Sequence, residues 1–287
     1  MSVEAGREVP IGKLLKMALF TVLLIAASWF FGIWCGRFGQ AYTLFFQPGR
    51  EILKLVLWLL LAIVVVAVTA GLVAALLKPL WVALVAFALS ALAMILGWQV
   101  GIGPALLGLL YFLTCLPYAR GVTKELNERL RFSVEPVYRG LSILFMALAL
   151  VACGSLYLGY AAHIEKEGFT LPPAFKEMMT KMTIIPMREA IEAQTDLSPQ
   201  EKERALAEME EGLEEMWMEP LEEMIKPYER LIPVVVAIGT FMTLQTILGL
   251  LSWIPGLILA MIFPILEITG VTRVVRETRE VERLTIA

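Results

Sequence analysis

Charge is missing from long parts of this chain. No formally charged residue occurs between Lys16 and Arg37, Lys54 and Lys78, Lys78 and Arg120, Arg139 and His163, or Arg230 and Glu267. An ionised side chain at mid-bilayer costs about 3 kcal/mol or more, and about 20 apolar residues suffice for a helix to cross the hydrocarbon. All five stretches are therefore expected to span a membrane, and two of them are long enough for hairpins. A hydrophobic share of 59% lies outside the range of a soluble domain.

Histidine and aspartate are nearly absent. His163 and Asp196 are the single representatives of their types, and neither falls in the middle of an uncharged stretch. Intramembrane aspartyl proteolysis needs paired carboxylates that share a proton, so that class is disfavoured. Histidine-based metal sites and Ser-His dyads need an imidazole close to the chemistry, and His163 falls at a span end. No H-E-x-x-H, P-loop or G-x-S-x-G occurs. The chain is expected to be no enzyme, with no catalytic residue, cofactor or metal and no nucleic-acid partner. Cysteine is scarce too: Cys35, Cys115 and Cys153 all fall within or at the ends of apolar segments. They support no disulfide framework and read as small apolar packing residues.

The charge that is present is unevenly placed. From Glu165 to Arg230 there are 17 acidic and 8 basic residues, a net of −9, against 10 acidic and 16 basic elsewhere, a net of +6. The pattern is a basic-rimmed membrane bundle interrupted by one acidic, water-facing insert. The fold class that follows is all-α: a polytopic transmembrane helical bundle of about seven hydrophobic segments, with an acidic amphipathic helical insert between spans five and six. The expected division is 1–162 for a five-span bundle, 163–230 for the insert, and 231–287 for a membrane hairpin with a charged tail.

Spans one to five are predicted over about 14–36, 51–77, 80–97, 104–118 and 140–162, with span six over 231–251 and a last apolar piece to Ile268. Lys13 and Lys16 precede the first span as in a signal peptide, but its apolar core is too long for a cleaved one and a retained span is expected. Gly97-Trp98-Gln99-Val100-Gly101-Ile102-Gly103-Pro104 breaks the helix through backbone freedom and a missing donor. Ser252-Trp253-Ile254-Pro255-Gly256 is read as a second such turn, giving a seventh crossing. Trp34, Trp81, Trp98 and Trp253 fall near predicted span ends, as in an aromatic belt.

In the insert, Ser198-Pro199-Gln200-Glu201 is a capping box with proline at the first helical position. Leu206, Met209, Leu213 and Met216 follow at helical spacing, and Trp217 extends the stripe. Glutamates 208, 210, 211, 214 and 215 occupy the other faces as a solvated surface, without the Asp, Asn and Gly spacing of a calcium loop. Within the membrane, Gly32/Gly36 and Ala67/Gly71/Ala75 repeat the four-residue step that lets helices approach closely, whether within the chain or between copies.

With the N-terminus inside and seven crossings, the positive-inside count is 9 against 7. A re-entrant last segment makes it 13 against 3. Both versions put the insert outside the cytoplasm of a plasma or inner membrane. Gly121-Val122-Thr123-Lys124 and Gly270-Val271-Thr272-Arg273 echo each other and raise an inverted repeat of the transporter kind.

Two functions follow. The leading one is a non-enzymatic scaffold, assembly or partner-docking protein, whose partners are the lipid bilayer and a protein held at Met209, Leu213, Met216 and Trp217. The alternative is a small transporter or channel around the broken helices, with Gln99, Thr243 and Gln245 as polar lining and Glu267 as ion or proton partner.

Overall fold

The computed structural model describes residues 11–41, 49–129, 133–168, 220, 224 and 226–272. Every regular element among them is helical: α1 Ile11–Gln40, α2 Arg50–Leu76, α3 Leu80–Trp98, α4 Ile102–Glu128, α5 Glu135–Arg139, α6 Leu141–Glu167, a 3-10 turn Lys226–Tyr228, α7 Ile232–Leu251 and α8 Trp253–Ile268. Six stretches are long and apolar enough to cross a membrane, namely Leu14–Gln40, Arg50–Leu76, Leu80–Trp98, Ile102–Glu128, Glu135–Glu167 and Ile232–Ile268. Of the expected insert, residues 163–168, 220, 224 and 226–230 are described; Met209, Leu213, Met216 and Trp217 lie outside the described residues.

The structure has six such stretches where the sequence reading expects about seven, and the difference lies at the joint of α7 and α8. Ser252 has φ −59° and ψ −24°, right-handed helical values, so the chain passes from α7 into α8 without an extended residue. Pro255 falls in the first turn of α8, where its missing N–H has no intrahelical carbonyl to serve. Gly256 is small for packing: a Cβ there would lie 3.2 Å from the Tyr138 ring. Ile247 faces the same crevice as Leu59, and 12 residues later on both helices Leu259 faces Gly71. α7 and α8 thus advance together along α2. Trp253 sits exposed in the middle of this run instead of at a span end.

The break before α4 behaves as the sequence predicts. Gln99 (φ −158°, ψ 145°) and Gly101 (φ −172°, ψ 168°) are both extended, and α3 and α4 pack as a hairpin. Two extended residues reverse a helix, whereas a helical serine does not.

Small residues decide how closely the helices pack. A Cβ on Gly32 would strike the Met94 backbone of α3, and one on Gly97 would strike the Trp29 backbone of α1. A Cβ on Gly39 would lie 2.7 Å from Ser155 O, and one on Gly159 of α6 would strike the Gly39 backbone. In a bilayer, lipid is as apolar as leucine, so close van der Waals approach replaces the hydrophobic effect as the cohesive force. Gly71 likewise receives Val137 and Leu259. The four-residue steps on α1 and α2 are thus occupied by contacts within the chain. α2 is the hub, with 72% of its most apolar window buried, against 22% for Ile232–Ile268.

These contacts define two ends. Gly36 beside Trp98, Gly39 beside Ser155 and Gly103 beside Leu158 mark the Arg37 end. At the Lys78 end, Lys78 Nζ donates to Asn127 Oδ1 at 3.4 Å, and Tyr118 donates to Val137 O at 3.3 Å. Lys16 Nζ donates to Gly270 O (2.9 Å) and Val271 O (3.0 Å) at the same end. There a cation meets the carbonyl end of α8, the favourable polarity. The Gly121 and Gly270 segments therefore both belong to this end. The first is helical and the second a turn with φ +69° at Gly270, so the structure carries no inverted repeat in them.

Candidate functional site

The polar residues expected to line a transport path do not converge. Gln99 ends α3 at the Arg37 end, exposed. Glu267 is exposed near the far end of α8, within one turn of the carbonyls that Lys16 grips. A 19-residue helix separates such ends by about 28 Å. Gln245 is half-buried in α7. Thr243 is exposed, and its hydroxyl is spent on Gly239 O at 3.0 Å.

Two features emerge that sequence reading missed. The first is a buried hydroxyl cluster among α1, α3 and α4. Ser90 Oγ donates to Phe87 O at 3.0 Å, and Ser90 Oγ and Tyr111 Oη lie 3.2 Å apart. Ser28 Oγ sits beside the Tyr111 hydroxyl and closes no hydrogen bond, although the residue is buried. Cys115 borders the cluster as a buried free thiol. Serine and tyrosine inside apolar helices were the available signal, but hydropathy averages them away. Chemically the cluster joins three helices.

The second feature is a lateral crevice of about 450 Å³ at the Arg37 end. Phe38 of α1 closes its back, Ile52, Val56 and Leu59 form one wall, and Gly239, Thr240 and Thr243 form much of the other. Thr240 Oγ1 donates to Val236 O at 2.7 Å, so both threonines keep their protons within α7. The crevice exists because α7 packs on α6 while α8 packs on α2, leaving the upper part of α7 apart from α2.

At the Lys78 end the charged groups are orderly. Glu135 accepts from Arg129 at 2.8 Å and pairs with Arg139. These guanidinium groups, Arg129 foremost through its hydrogen bond, hold the Glu135 carboxyl below the usual carboxylate range. Lys124 and Glu128 form an exposed i,i+4 pair at 3.9 Å. Among the described residues no charged side chain is buried, and the buried polar residues are Ser28, Ser90 and Ser155.

Comparison of the chain with protein-family models, curated proteins and solved structures finds no match.

Proposed function

We propose that this chain is a non-enzymatic integral membrane scaffold that docks a protein partner through its acidic insert. The observation that carries the reading is the division of labour between bundle and insert. Helix crossings at Gly32, Gly97 and Gly159 bring backbones into close contact, and the buried polar residues among the described ones are three serines. The described chain leaves at Gly168 and re-enters at Lys226, both on the Arg37 side of the bundle. A compact apolar anchor that offers one long acidic segment at one end suits docking better than translocation. Gln99 and Glu267 stand about a helix length apart and Thr243 keeps its hydroxyl on its own helix, so the three form no common polar site.

Orientation supports the same reading. With 232–268 as a single crossing, the Lys78 end collects 13 lysines and arginines in its short segments and tail, against 3 at the Arg37 end. The positive-inside rule then favours a cytoplasmic Lys78 end and an extracytoplasmic insert.

The test is deletion of 170–226, replaced by a short Gly/Ser linker. The deleted protein is expected to keep its thermal transition in detergent and to lose the partner that the intact chain co-purifies. An unchanged set of co-purifying proteins, or solute flux into proteoliposomes by the deleted chain, overturns the proposal.

A further inference from the structure

We propose that the outer rim between α1 and α2 at the Arg37 end, where Arg37 and Lys54 flank the stacked indoles of Trp34 and Trp58, holds the headgroup of an anionic phospholipid. Trp34 of α1 and Trp58 of α2 stack with ring centroids 5.4 Å apart and planes 3° apart. Phe30 meets both rings edge-on at 6.2 Å, so the two indoles form one braced platform. Arg37, one turn further along α1, lays its guanidinium carbon 4.8 Å from the Trp34 ring centroid.

Helical geometry brings Lys54 to the same place. By the helical repeat, Lys54 lies about 40° around α2 from Trp58, whereas the crevice residues Ile52, Val56 and Leu59 lie about 100–160° away in the other direction. The rise puts Arg37 about 4.5 Å above Trp34 and Lys54 about 6 Å above Trp58, so both cations stand at nearly one height above the stack. Arg50 and Glu51 lie about a turn further out and offset each other in formal charge. α6, which carries Glu165 and Glu167, packs on Gly39, about 140° around α1 from Trp34. Arg37 and Lys54 are exposed, and neither has a carboxylate partner among the described residues.

Depth identifies the occupant as a lipid. Arg37 and Lys54 are the charges that close the uncharged runs of α1 and α2, so they mark the boundary between hydrocarbon and headgroups. Toward the bilayer centre, the same side of α2 exposes Leu57, Trp58 and Leu61. A phosphodiester set between the two cations brings its acyl chains against these side chains, whereas a soluble phosphate has nothing to offer them. The planar fork of Arg37 suits a pair of phosphate oxygens. Charge then selects the headgroup. Glycerol leaves the negative charge of the phosphodiester uncompensated, while choline or ethanolamine adds a cation beside Arg37 and Lys54. Each basic side chain near the membrane surface favours anionic lipid by about fivefold.

The experiment places the full chain in phosphatidylcholine nanodiscs with traces of a lipid whose headgroup carries a diazirine, either a phosphatidylglycerol or a phosphatidylcholine analogue. After illumination, phosphatidylglycerol adducts on peptides covering 34–37 and 54–58 are expected to exceed phosphatidylcholine adducts by about fivefold or more. Arg37→Gln with Lys54→Gln is expected to remove that excess, while adducts at the Lys78 end persist and report a folded bundle and a working probe. Equal labelling by the two probes, or an excess that survives the double substitution, would overturn the proposal. Displacement by inorganic phosphate but not by chloride at the same ionic strength would overturn it too, by assigning the cations to a soluble anion. So would a carbodiimide cross-link from Lys54 to a glutamate of 201–223, which would give the site to the acidic insert of the same chain.

Discussion

At the scale of single residues, tolerance to added atoms separates the glycines sharply. Gly32, Gly97 and Gly159 face another helix's backbone, which cannot swing aside as a side chain does. Alanine at any of the three is expected to cost roughly 1–3 kcal/mol through overpacking, read as a lowered midpoint in thermal unfolding in detergent. Gly239→Ala and Gly249→Ala meet open space and are expected to leave that midpoint unchanged or slightly raised. Equal losses at both sets would refute the packing assigned to α1, α3 and α6. The hydroxyl pair makes a second residue-scale test. A double-mutant cycle of Ser90→Ala and Tyr111→Phe is expected to give a coupling of about 0.6 kcal/mol, the usual size for hydroxyls bonded across membrane helices. No coupling would mean that the 3.2 Å approach is not a hydrogen bond.

At the scale of elements, the joints matter more than the helices. The α4–α6 joint turns on Tyr118, whose ring lies 2.9 Å from where a Gly140 Cβ would be, and on the clamp of Arg129 and Arg139 around Glu135. Glu135 belongs to α5, ahead of the apolar run that begins at Leu141. Its pKa is depressed in the folded chain, so it favours folding above its unfolded pKa, and that contribution is lost as pH falls through the lower, folded value. Amide exchange at Val137 and Tyr138 is expected to quicken on acidification, and Glu135→Gln is expected to remove this pH dependence. An unchanged profile in Glu135→Gln would assign it to another group. At the α7–α8 joint a single serine with helical backbone angles separates the two helices.

At the scale of the whole molecule, the continuous 232–268 run determines the topology. The start of α1 and the end of α8 lie at one end, joined by Lys16 to the Gly270 and Val271 carbonyls, as six single crossings would require. Paired reporter fusions at Gly212 and after Ala287 are expected to report opposite sides of the membrane, with the tail cytoplasmic. Both on one side would restore a reversal near Ser252 and revive the seven-crossing arrangement.

Much of the fold was legible in the sequence, for a physical reason. Excluding charge from hydrocarbon is a one-dimensional constraint, so uncharged runs mark the crossings, and the extended break at 97–104 announced itself through glycine and proline. What the sequence by itself determined is therefore a membrane-embedded, helical protein and the approximate positions of its apolar helices, though α4 runs on to Glu128, ten residues past the expected end. Ser252-Trp253-Ile254-Pro255-Gly256 has the composition of a turn, and in the structure it joins α7 to α8 through a serine with helical angles, with Pro255 in the first turn of α8 and Gly256 under Tyr138. Likewise, Gly32-x-x-x-Gly36 announces a close helix contact without naming the partner, and the tertiary structure supplied Met94 and Trp98. The hydroxyl cluster and the crevice were invisible for the same reason. Each is assembled from residues more than 20 positions apart, and their meeting depends on which helix faces which, a choice that a stretch of uniform hydropathy does not encode.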